Sequence, residues 1–307
     1  MIREPAYAVA SQGPNLRASR LWLRATTSHL LTFYFKEFLV TLHLFQVGIN
    51  NYPGTGSDLA GCLNDLKDFR ALLPAKLGTH VVLKDSQALK AKILQGLRDF
   101  VLKLQAGDWG IVQYSGHGSW EPDLNADEPD SRDECWVPYD WANGVLDDEL
   151  AKLWQLLKPK AKLLLLTDSC MNGTVFRLRP SFHATADRRT RVRFLSPEQR
   201  LGSGSRKTLK SAERVAAAPM PDKKEAVLPN VIHWAGSLNT EYCSDAVFRG
   251  RPNGAFTRLL IDLRKSLAQP TFQQLQTALR NHLPSGDYPQ TPVLNATAAN
   301  KKLPIPF

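Results

Sequence analysis

Two residues in this sequence have the types and settings needed for a nucleophilic attack. His117 stands in Tyr114-Ser115-Gly116-His117-Gly118, and Cys170 follows Thr167-Asp168-Ser169 roughly 50 residues later. A thiolate is a strong nucleophile, and an imidazole within hydrogen-bond reach takes its proton and later returns it to a leaving amine. Glycines on both sides of His117 let backbone approach closely. The N–H groups of Gly118 and Cys170 are then candidates to point at a developing oxyanion. Taken alone, Cys170 reads more readily as a buried structural cysteine, and His117 as a turn histidine. Found together, each at the end of a strand candidate and flanked by small residues, they favour catalysis. His233 lies inside an apolar run and reads as a core residue, and His183 lies in a basic stretch. Cys62, Cys135 and Cys243 have no glycine-bracketed histidine nearby in sequence.

The elements that must position this pair alternate in pattern. Strands are expected at Leu42–Val47, Thr79–Leu83, Trp109–Tyr114, Leu163–Thr167 and Val231–Ala235, with an edge strand at Pro292–Leu294. Helical spacing of apolar residues covers Leu59–Leu73, Ser86–Leu104, Asp147–Leu157, Ala255–Leu267 and Phe272–Leu283. This alternation predicts an α/β protein, a three-layer α/β/α sandwich with a mainly parallel central sheet. In such sheets functional residues gather beyond the carboxyl ends of the strands. If the strands ending before His117 and Cys170 are neighbours, both side chains emerge at one rim.

The 307 residues fit one large α/β domain or about two smaller ones. A hydrophobic share of 43% and a charged share of 22% exclude a disordered chain, a collagen-like repeat and a polytopic membrane protein. Lys36, Glu37 and His43 interrupt the apolar stretch from Leu30 to Val47, so a spanning helix is not expected there. Four scattered cysteines without a CxxC pair point to a reducing, cytoplasmic setting. The net charge of +10 suggests an anionic partner until it is divided along the chain. Residues 42–176 carry −5 and residues 177–224 carry +9. The excess therefore belongs to a basic stretch over about 177–227, low in hydrophobicity, which reads as a flexible insert. No nucleic-acid or membrane partner is expected, and the chain is expected to be a monomer. The organisation is thus an N-terminal extension over 1–41 and one domain over 42–307 that carries the insert.

Five stretches, the His117 and Cys170 motifs among them, stand in a telling order: Gly48-Ile49-Asn50 with Leu59-Ala60-Gly61-Cys62-Leu63-Asn64-Asp65, the His117 motif, Asp127-Glu128-Pro129-Asp130 to Val137-Pro138-Tyr139-Asp140, Asp147-Asp148-Glu149-Leu150, and Asp168-Ser169-Cys170-Met171-Asn172-Gly173. With Asn253-Gly254-Ala255-Phe256-Thr257 near the end, the text over roughly 42–300 resembles the metacaspases, caspase-like cysteine peptidases, and in particular their prokaryotic, type I-like members. The resemblance implies a His117/Cys170 dyad and a primary specificity (S1) pocket at Cys62, Asp65, Ser115 and Asp168. The spacing agrees: Asp65 falls one helical turn from Cys62, and Ser115 and Asp168 each precede a catalytic residue by two. Two converging carboxylates suit a guanidinium or ammonium, so protein or peptide substrates cut after Arg or Lys are expected. Taken singly, Asp65 also fits an ordinary helix-surface carboxylate, and Asp168 a loop residue bonding local N–H groups.

The resemblance further implies calcium ligands at Asp133, Asp147 and Asp148, in a stretch where Glu121–Glu149 holds 11 acidic residues and one basic residue. The matching place for a fourth acidic ligand holds Arg177, and Met171-Asn172 replaces the His-Ser common after the family's cysteine. A solvated acidic loop explains the run equally well. Calcium is thus an expected activator at most, and no cofactor is required for the chemistry. An Arg/Lys-selecting enzyme with a basic insert is also expected to process itself within 177–224. The alternative is a catalytically silent signalling or scaffold module with the same fold.

Overall fold

The computed structural model describes residues 40–122, 132–141, 143–170, 190–201, 228–238 and 241–307. Residues Thr41–Phe307 form one unit. The expected extension over 1–41 lies, apart from Val40 and Thr41, outside the described residues.

The strands and helices follow the alternation read from the sequence. In chain order they are β1 (Leu42–Gly48), α1 (Cys62–Arg70), β2 (His80–Lys84), α2 (Lys90–Lys103), β3 (Trp109–Ser115), β4 (Gly118–Pro122), β5 (Arg132–Trp136), β6 (Val145–Leu146), α3 (Asp147–Trp154) and β7 (Lys162–Asp168). They continue with β8 (Arg191–Val192), α4 (Pro197–Leu201), β9 (Val231–Ala235), β10 (Ser244–Phe248), β11 (Arg251–Gly254), α5 (Ala255–Ser266), α6 (Phe272–Arg280), β12 (Val293–Asn295) and α7 (Ala298–Lys301).

The central sheet runs β12-β9-β7-β3-β1-β2. All its pairings are parallel except β12 with β9, an antiparallel edge. Alternation of side chains across the pleat splits the apolar residues between two layers. Phe45, Val47, Val112, Leu163 and Leu165 pack with Ile93 and Leu97 of α2 and Trp154 of α3. Leu44, Ile111, Leu164, Leu166 and Trp234 pack with Phe69 of α1, Leu260 of α5 and Leu275 of α6. The result is the expected three-layer sandwich. Each fully buried Leu contributes about 1.5–3 kcal/mol, and both faces of β7 are covered, which explains its uninterrupted apolar run.

Two small antiparallel sheets were not foreseen. One is β4-β5-β6 and the other is β11-β10-β8. Their strands are two to five residues long, too short to carry a hydrophobic periodicity that can be read. The helices are also shorter than the apolar spacing suggested. Of the expected flexible insert over 177–227, residues 190–201 are described, and they form β8 and α4 against the body of the protein. Among the described residues, no helix is long and apolar enough to cross a membrane.

Candidate active site

β3 and β7 are adjacent and parallel, with Ser115 opposite Asp168 at their carboxyl ends. The chain then leaves both strands at the same rim, and two residues on stand His117 and Cys170. Their backbones meet closely: a Cβ on Gly118 would overlap the Cys170 carbonyl. Only glycine fits there, so Gly118→Ala must push the two loops apart. It is expected to lower kcat by about 10²-fold or more, the usual cost of spoiling one oxyanion donor, and steady-state kinetics on a peptide substrate checks it.

Two tyrosines hold the His117 loop. Tyr114 Oη donates to the His117 carbonyl at 2.6 Å, and the His117 N–H donates to Tyr52 Oη at 2.8 Å. The Tyr52 ring lies 4.6 Å from the imidazole, centroid to centroid. His117 Nε2 is 2.6 Å from the Ser57 carbonyl, so it carries the proton, while Nδ1 has no hydrogen-bond partner. Cys170 Sγ accepts from the Cys243 N–H at 2.8 Å. Both side chains are buried, so in this state thiol and imidazole share a rim without a hydrogen bond between them.

Burial lowers the His117 pKa to about 4, against a smaller opposing effect from the Ser57 carbonyl. The sign follows from proton uptake. The folded chain resists protonating this imidazole, so its contribution to stability is full above about 6.5 and fades toward pH 4, by about 3 kcal/mol in all. Asp65, which burial pushes up to about 6, works in the opposite sense over its own range. A site-specific NMR titration separates the two, and the His117 ring is expected to titrate near 4 in the intact chain.

The four expected pocket residues come together. Asp65 on α1 accepts from Ser115 Oγ at 2.7 Å, from Asn253 Nδ2 at 3.0 Å and from the Gly254 N–H at 3.0 Å. Asp168 Oδ2 accepts from the Thr257 N–H at 2.9 Å and from its hydroxyl at 2.7 Å. The buried Cys62 thiol lies beside them, held well above its usual pKa by burial. Burial likewise pushes Cys135 up to about 12 and Cys243 well above its usual range. A third carboxylate, Asp245 on β10, completes the pocket and accepts from the N–H groups of Ala60 and Gly61 at 2.7 and 2.9 Å. The sequence reading missed Asp245 because β10 shows no strand pattern.

The pocket holds a guanidinium, and it comes from the insert. Arg193 Nη2 is 2.7 Å from Asp65 Oδ2 and 2.9 Å from Asp245 Oδ1. Its Nη1 is 3.3 Å from Asp168 Oδ1 and donates to Ser115 Oγ at 2.8 Å and to the Asp168 carbonyl at 3.0 Å. Burial works against its charge, but Asp168, Asp65 and Asp245 outweigh burial and keep it protonated.

The expected calcium ligands lie on β5 (Asp133) and in the first turn of α3 (Asp147 and Asp148). Asp147 Oδ1 accepts from the Asp148 N–H at 3.0 Å, and Asp148 is 3.8 Å from Lys152. Among the described residues no group of three or more His, Cys, Asp or Glu side chains is placed to hold a metal ion. Residues 123–131 and Arg177 lie outside the described residues. His233, read as a core residue, is on β9 with Nε2 2.9 Å from Thr167 Oγ1.

Comparison with known proteins points to one family. The family described as metacaspase, peptidase C14 domain, matches residues 44–179. Metacaspase-1A of Aspergillus terreus is 31% identical over 281 residues, covering 82% of this chain and 69% of its own length. Metacaspase-1 of Emericella nidulans is 30% identical with the same coverage. A solved structure from Geobacter sulfurreducens shares the fold at a TM-score of 0.63 and 24% identity, covering 86% of this chain and 97% of that one. A caspase-like α/β sandwich, a histidine and a cysteine at one sheet rim, and these relatives lead to one conclusion: the chain belongs to the metacaspase family of caspase-like cysteine peptidases.

Proposed function

We propose that the chain is an endopeptidase that cuts after Arg or Lys with a Cys170/His117 dyad. The observation that carries the specificity is the pocket of Asp65, Asp168 and Asp245 closing on a guanidinium with both ends of its fork bonded. Three carboxylates so placed would repel an aspartate side chain, and removing a cation from them leaves buried negative charge unpaired. In the reaction, Cys170 attacks the carbonyl carbon and His117 relays the thiol proton to the leaving amine. The Gly118 and Cys170 N–H groups steady the oxyanion, and water then hydrolyses the thioester.

Fluorogenic peptides ending in Arg, Lys or Asp test this. The Arg and Lys peptides are expected to be cut at least about 10²-fold faster than the Asp peptide, and equal or reversed rates would refute the specificity. The same assay in EDTA and in added Ca²⁺ tests activation. A rise with calcium would mean that ligands beyond Asp133, Asp147 and Asp148 complete a site.

A further inference from the structure

The site continues beyond the acidic pocket, into groups that the mechanism above does not use. Arg193 fixes the register. Its carbonyl oxygen accepts from the two candidate oxyanion donors, the Gly118 N–H at 3.0 Å and the Cys170 N–H at 3.2 Å. A peptide bond held this way presents its carbonyl for attack, and the next residue lies on the leaving side. Here the next residue is Phe194. It bridges to Gly118 in parallel, and the following Leu195 N–H donates to the Gly118 carbonyl at 3.1 Å.

Two aromatic side chains receive the Phe194 ring. Trp120, on β4, is fully buried but belongs to neither core of the sandwich, and among the described residues its apolar partner is Phe194. Residues two apart on a strand share a face, so Trp120 stands on the side that Gly118 turns to the Cys170 carbonyl. The Arg132 guanidinium, 4.3 Å from the centre of the indole, anchors it by cation–π attraction. Tyr242 makes the second wall. Its ring centre is 6.1 Å from that of Phe194 at a tilt of 54°, a favourable spacing for an aromatic pair. It directly precedes Cys243, whose N–H donates to Cys170 Sγ. Burial, and after it the nearness of Cys170, raises the Tyr242 phenol above its usual pKa. Phe194 and Tyr242 are half-buried, so the ring sits in a slot with a solvent side. A satellite cluster serving only the fold would need no fixed relation to the reacting atoms. Both walls of this one stand one or two residues from groups that touch the thiol or hold the carbonyl.

We infer that Trp120 and Tyr242 form an S1′ subsite, a slot for an aromatic side chain on the residue that follows the cleavage point of a peptide substrate. This rests on the peptidase reading above and adds a second element to its specificity, basic before the bond and aromatic after it. A ring between two aromatic walls gains edge and face contacts beyond the area it buries, whereas glycine leaves the slot to water. The gain is confined to formation of the thioester, because the residue after the bond departs with the amine. Hydrolysis of the thioester is then the same for every peptide with the same basic side.

The test uses three peptides that are identical except for Phe, Leu or Gly after a central Arg. They compete in one tube for the full-length chain, and mass spectrometry reads their relative kcat/KM. Each ratio comes from a single preparation, so partial filling of the slot by the chain's own Phe194 cancels. The Phe peptide is expected to be cut at least about 10-fold faster than the Gly peptide, with Leu between them. Tyr242→Ala is expected to shrink the Phe-to-Gly ratio at least about 3-fold. Trp120→Leu, with folding checked by circular dichroism, is expected to shrink it further. If the three peptides are cut at one rate, if Leu matches or outruns Phe, or if Tyr242→Ala keeps the full ratio, the inference fails while the peptidase reading stands. If wild type cuts none of them, both fail. The wild-type ratios and Tyr242→Ala decide the matter even if Trp120→Leu does not fold.

Discussion

Cys170→Ala is expected to abolish peptide hydrolysis, with a fall in kcat/KM of about 10⁴-fold or more, equivalent to at least about 5 kcal/mol of transition-state stabilisation. On the proposed mechanism, removing the sulfur removes the nucleophile that forms the acyl intermediate. Cys243 and Cys62 are kept as thiols by burial. The folded structure should tolerate the change, because Sγ accepts one hydrogen bond in the interior, from the Cys243 N–H. Leaving that donor unpaired costs about 1–3 kcal/mol. His117→Ala is expected to fall nearly as far, and the double variant no further, since the two act as a unit. Kinetics on an Arg peptide, with thermal unfolding as the control, checks all three.

The second large effect is expected at Asp65. Its two oxygens serve Ser115, Asn253, Gly254 and the Arg193 guanidinium. Asp65→Ala strands a buried cation and several donors, and breaking such a pair costs about 3–5 kcal/mol. The melting temperature should drop by roughly 10 °C for a domain of this size. Asp65→Asn keeps most hydrogen bonds and isolates the charge. It is expected to lose about 10²–10³-fold in kcat/KM for Arg peptides, the range for one partner of a buried charged pair, while an Asp peptide gains relative to it. Loss of stability without any change in Arg selectivity would mean that Asp65 supports the fold and does not read the substrate.

The central sheet was legible because burial on both faces writes itself as apolar runs, as in Leu163–Leu166, and helices announce themselves by spacing. The His117 and Cys170 loops were legible for the same reason: they hang from strands that the sequence marks clearly. Asp245 and Arg193 were not. Asp245 sits on a strand of five residues, too short to show a period, and Arg193 lies in a segment whose charge reads as solvated surface. A lone arginine among thirteen basic residues carries no local sign that three carboxylates, each distant in sequence, converge on it. Burial of a charge is a property of the assembled pocket, and composition alone assigns such a residue to solvent.

The pairing of β7 with β9 along Leu163–Thr167 and Val231–Ala235 joins strands that lie before and after the whole 171–230 region. Any nick in that region leaves both halves stitched through the middle of one hydrogen-bonded sheet. The two fragments should therefore co-elute at the parent's size on a sizing column and part only in detergent, so intact mass, not gel-filtration volume, is the measure of whether a preparation has matured.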